Sequence, residues 1–156
     1  CELAQRGAHV VAVDLSATMV QLARERHPNA LHEGRLQFIS GDMLSVAYGK
    51  FDHVVAMDSM IHYELGDLVN GLAGLAERTT RSLLFIFAPS NPILATMIRV
   101  GRLFPRGDRA PFIEPVPEPA MRSAINFTPR LGGWQVARTE KISSGFYTSQ
   151  AMEICP

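Results

Sequence analysis

The chain has 156 residues, enough for one domain with its own core. Hydrophobic residues make up 47% and charged residues 19%, a composition that excludes an intrinsically disordered chain. The formal net charge of +0 argues against a nucleic-acid enzyme, because phosphate binding leaves a basic footprint.

Cys1–Arg6 reads as the end of a helix, with Gly7 as its stop. His9–Asp14 (HVVAVD) is a short valine-rich run suited to a strand buried on both faces. Ser16 then reads as an N-cap, and Met19, Leu22 and Ala23 carry helical spacing to about His27, where Pro28 ends the helix. Leu36–Ile39 predicts a second strand and Asp52–Asp58 a third. Leu68, Leu72 and Leu75 share one face of a helix over Asp67–Arg78, and Ser82–Ala88 predicts a fourth strand. Strands alternating with helices imply an α/β chain with a parallel, doubly wound, Rossmann-like sheet.

Residues 89–117 break the pattern with prolines, arginines and a short amphipathic piece, Ile93–Phe104, and predict a lid-like insertion in a single domain. A helix is expected around Glu118–Phe127. Two long strands, about Trp134–Ile142 and Phe146–Ile154, close the chain as an antiparallel hairpin, because a three-residue link cannot make a parallel crossover. The most apolar stretch, Leu83–Val100, is interrupted by Pro89, Asn91, Pro92 and Arg99 and is a poor membrane span. Cys1 and Cys155 form no disulfide or zinc pattern, which makes a reducing, cytoplasmic setting the default.

A parallel sheet binds its ligand outside the carboxyl ends of its strands. Asp14, Asp42 and Asp58 fall at three successive strand ends. A carboxylate at Asp14 can accept both ribose hydroxyls of a nucleoside, or it caps the helix near Ser16. Asp42 follows Gly41, where the backbone can approach a planar ligand. It offers an acceptor to an adenine amino group beside Met43, or it is a turn aspartate. Met19 packs either on a bound nucleoside or in the core. Asp58, Ser59 and His62 concentrate polar groups at the end of an apolar strand, facing the far end of such a ligand or capping the next helix. An aspartate after a strand also serves nicotinamide enzymes, so Asp14 alone does not separate methyl from hydride transfer.

The order of VAVD, SGDM and VVAMDSMIHY resembles the class I S-adenosylmethionine-dependent methyltransferases. MDSMIHY, GRLFPRGDRAP and SGFYTSQAMEI resemble the magnesium-protoporphyrin IX O-methyltransferase family more narrowly. Against that family the chain lacks the N-terminal region with the first strand and glycine loop. The resemblance implies S-adenosylmethionine as cofactor and methyl transfer to a propionate carboxylate of magnesium-protoporphyrin IX. It further implies contact with the magnesium chelatase. The cofactor contacts expected are Asp14, Ser16, Met19, Gly41, Asp42, Met43 and Asp58. His62 is the expected catalytic residue, orienting the reacting carboxylate, with Tyr63 beside it; the alternative, favoured for Tyr63, is a core residue packed under the lid. Arg99, Arg102, Arg106 and Arg109 can pair the second propionate in two-pronged geometry, and Met97, Leu103, Phe104 and Phe112 can cover the macrocycle. The same basic segment also reads as a solvated helix or a peripheral membrane contact. His9, His27, His32 and His53 lack metal-ligand spacing, so no protein metal site is expected. A methyltransferase for another small molecule and a non-catalytic binding domain are the alternatives.

Overall fold

The computed structural model describes residues 2–27, 35–90, 113–144 and 147–156. The expected amphipathic piece Ile93–Phe104 and every arginine and apolar residue assigned to the porphyrin lie outside these residues. They are Met97, Arg99, Arg102, Leu103, Phe104, Arg106, Arg109 and Phe112. The described chain forms two compact units, residues 1–48 and 49–156.

In the first unit, α1 (Glu2–Gln5) ends at Gly7, whose φ of 96° is the left-handed conformation that favours glycine. β1 (Val10–Asp14) leads to α2 (Ala17–Arg26), and β2 (Leu36–Ser40) pairs with β1 in parallel, Asp14 opposite Ser40. Ser16 caps α2 as expected: its hydroxyl accepts the Met19 N–H at 3.3 Å. Val20 is the buried residue of α2, whereas Met19 is 53% exposed. The core reading of Met19 therefore finds no support within this unit.

The second unit is a four-stranded mixed sheet in the order β3-β4-β6-β5. β3 (Phe51–Ala56) and β4 (Thr79–Phe87) are parallel. The hairpin of β5 (Gln135–Ser144) and β6 (Tyr147–Cys155) adds antiparallel through β6, with Phe85 opposite Met152 and Phe87 opposite Gln150. α3 (Leu65–Ala76) packs against β4, α4 (Glu118–Phe127) packs against β5, and the two helices touch each other. Alternate residues Leu83, Phe85 and Phe87 of β4 share one face of the sheet and are buried, as are Leu68 and Leu72 of α3 and Ile125 of α4. The expected elements are present within a few residues of their predicted ends. The parallel strands, however, divide between a two-stranded and a four-stranded sheet. Among the described residues no helix is long and apolar enough to cross a membrane.

Candidate active site

In the first unit, β1 and β2 deliver two carboxylates to neighbouring loops. The Gly41 N–H donates to the Asp14 carbonyl at 3.0 Å, which holds the two loops together. The Asp14 carboxylate accepts the Ser16 N–H at 2.7 Å, and the Asp42 carboxylate accepts the Leu44 N–H at 2.9 Å. Both are Asx-turns that aim a carboxylate from a short loop. Asp14 and Asp42 are exposed and Met43 is half-buried. Exposed Leu15 and Met19 stand in the chain beside Asp14, so apolar and acceptor groups occur together. Such a set fits a nucleoside, which needs acceptors for its hydroxyl and amino groups and an apolar wall for its base. Gly41 has a further reason to be glycine: a Cβ there would run into the Tyr48 hydroxyl. No local signal in the chain announces that contact.

In the second unit the loop after β3 carries Asp58, Ser59, His62 and Tyr63. Asp58 adopts a φ of 52°, the one left-handed non-glycine residue among those described. Aspartate is among the residues that tolerate this conformation, which clusters at functional loops and also occurs in turns. Neither Asp58 nor Ser59 caps α3, whose N-cap is Glu64. The capping alternative for this pair is thereby removed. Met60 is 0% exposed and anchors the loop in the core. Its carbonyl accepts the Tyr63 N–H at 3.1 Å. His62 between them is exposed and Tyr63 half-buried, an arrangement in which a buried residue fixes a loop that presents an imidazole.

A returning segment, Ile113–Val116, meets this loop. The Glu114 N–H donates to the Ile61 carbonyl and the Val116 N–H to the Ala88 carbonyl, both at 2.9 Å. Pro89 and Val116 form a parallel bridge at the carboxyl end of β4. These residues escaped the sequence reading, which treated residues 89–117 as one insertion. Among the described residues no cluster of three or more His, Cys, Asp or Glu side chains is placed to hold a metal ion.

Comparison with known proteins identifies the family of the chain. Residues 56–156 match the family described as "Magnesium-protoporphyrin IX methyltransferase C-terminus", and residues 1–81 match "Methyltransferase domain". A magnesium-protoporphyrin O-methyltransferase of Rhodobacter capsulatus is 38% identical over 155 residues, 99% of this chain and 66% of that protein. One from Synechocystis sp. is 31% identical over 97% of this chain and 64% of its own length. The chain thus spans just under two thirds of these relatives. The crystal structure of magnesium protoporphyrin IX methyltransferase from Synechocystis PCC 6803 with bound SAH superposes with a TM-score of 0.79. It is 28% identical and covers 99% of this chain and 67% of that one. The chain belongs to the magnesium-protoporphyrin IX methyltransferase family.

Proposed function

We propose that this chain supplies the larger part of an enzyme that transfers a methyl group from S-adenosylmethionine to a propionate carboxylate of magnesium-protoporphyrin IX, giving the monomethyl ester of (bacterio)chlorophyll synthesis. The observation that carries the reading is the family match over residues 56–156, which takes in both the Asp58–Tyr63 loop and the closing hairpin.

When bound, S-adenosylmethionine supplies an electrophilic methyl group. Asp14 and Asp42 would accept hydrogen bonds from its hydroxyl and amino groups, with Ser16, Met19, Gly41 and Met43 around them, and Asp58 would accept a hydrogen bond from its amino-acid end. A carboxyl group of ordinary pKa, about 4, is ionised at neutral pH, so its oxygen attacks without a general base. Rate enhancement then rests on orientation. His62 donates a hydrogen bond to the carboxylate and fixes its direction, and Tyr63 supports it. Arg99, Arg102, Arg106 and Arg109 hold the second propionate, while Met97, Phe104 and Phe112 cover the ring. Delivery from the magnesium chelatase and a peripheral membrane contact through the same basic segment belong to this proposal.

Titration of the full-length protein with magnesium-protoporphyrin IX tests the substrate class. Saturable shifts of the porphyrin absorbance, weakened by charge reversal at Arg106 or Arg109, are expected. Unshifted spectra with folded, cofactor-binding protein would transfer the reading to another small-molecule acceptor.

A further inference from the structure

The stretch Ile113-Glu114-Pro115-Val116-Pro117 places prolines at alternate positions. In extended backbone, successive N–H groups point to opposite sides. Proline has no N–H, so Pro115 and Pro117 remove the donors of one edge and leave those of Glu114 and Val116 on the other. Both remaining donors are used, by the Ile61 and Ala88 carbonyls, and the Val116 carbonyl accepts the Ser90 N–H at 3.1 Å. Val116 is buried and pins the segment at the end of β4. From Glu114 to Pro117 the segment is a one-sided strap: it bonds inward and offers no N–H outward to another strand.

The bond at Ile61 has a specific geometric consequence. The Ile61 carbonyl belongs to the planar peptide unit whose nitrogen is that of His62. Fixing this carbonyl fixes the plane from which the His62 side chain departs. The neighbouring turn, closed by the Tyr63 N–H on the Met60 carbonyl at 3.1 Å, holds the loop from its other side. We propose that Glu114 is a positioning residue that acts through its main-chain N–H, orienting the peptide that carries His62. The inference rests on the reading that His62 orients the substrate carboxylate.

Glu114→Ala and Glu114→Pro separate main chain from side chain. Both lose the carboxylate, but only the proline variant loses the N–H. In the full-length protein, kcat for methyl transfer should fall at least about tenfold in Glu114→Pro relative to Glu114→Ala, as expected for a misplaced catalytic group. The KM for S-adenosylmethionine should stay within about twofold between the two, since the N–H that the proline variant loses bonds Ile61, which is not a proposed cofactor contact. The His62 imidazole resonances should differ between the two variants. Equal kcat values, or identical His62 resonances, overturn the proposal. Amide exchange of the wild-type protein decides it even where the proline variant does not fold: Glu114 and Val116 amides must be protected, and exchange at unfolded-chain rates refutes the strap. An unmodified protein that transfers no methyl to the porphyrin would instead overturn the proposed function, leaving amide protection and the imidazole signals to judge the strap.

Discussion

The side-chain amide of Gln150 donates to the Glu118 carboxylate at 2.6 Å and to the Thr139 hydroxyl at 2.8 Å. Gln150 is buried in β6, and Glu118 opens α4 directly after the strap. One side chain thus ties the start of a helix to both strands of the closing hairpin. Gln150→Leu keeps the bulk but removes both donated bonds. Stability should fall by about 1–3 kcal/mol, the range for losing a buried hydrogen bond to a charged group. Urea unfolding measures it, and an unchanged midpoint would contradict the role.

The same contact sets a pH dependence. Hydrogen bonds from Gln150 first, and Arg122 next, hold the Glu118 carboxyl below the usual carboxylate range. Glu153 is held low in the same direction, chiefly by its hydrogen bond from Arg138 at 2.9 Å. A depressed folded pKa gives stability that is complete above the unfolded value, about 4.3, and lost as pH falls through the folded one. Unfolding midpoints should therefore be level near neutrality and decline below about pH 4. In Gln150→Leu that acid decline should shrink, and a Glu118 carboxyl titration followed by NMR should move to higher pH.

Asp58 should separate stability from activity. Its left-handed φ is a conformation in which glycine pays no Cβ penalty. Asp58→Gly should change stability by no more than about 1 kcal/mol, because relief of the left-handed strain offsets the entropy of glycine and the loss of the side chain. Methyl transfer should fall at least about tenfold if the carboxylate binds cofactor. Thermal melts and turnover on the same preparation check both halves. A large loss of stability would show that the carboxylate serves the fold.

Met60 should behave in the opposite way. It is fully buried although its loop is otherwise half-buried or exposed. Met60→Ala should cost about 2–5 kcal/mol, as for other large core truncations, and should loosen the loop that bears His62. Denaturant unfolding gives the first quantity. Amide exchange at Ile61–Tyr63 gives the second, with faster exchange expected there than in Leu72→Ala at matched stability.

Local signals carried most of the fold. Ser16 before a helical pattern was a legible cap because capping depends on residues three positions apart. The helix Glu118–Phe127 forms where it was expected, and the hairpin was legible from the short link between two long strands. Relationships distant in sequence were not legible. Glu114 meets Ile61, and Tyr48 occupies the space that keeps position 41 glycine, only because the chain folds back. The left-handed turn at Asp58 has no glycine or asparagine to announce it. Met60, by contrast, looked like any apolar residue at a strand end until its burial identified it as the anchor of the loop.

The most direct test of the account is single-turnover methyl transfer from S-adenosylmethionine to magnesium-protoporphyrin IX by the full-length protein, compared with His62→Ala. The account predicts monomethyl ester from the unmodified protein and a rate at least about tenfold lower in the variant, with S-adenosylhomocysteine affinity within about twofold. Equal single-turnover rates in folded, cofactor-binding preparations would contradict the role given to His62, and absence of the ester from the unmodified protein would contradict the function itself.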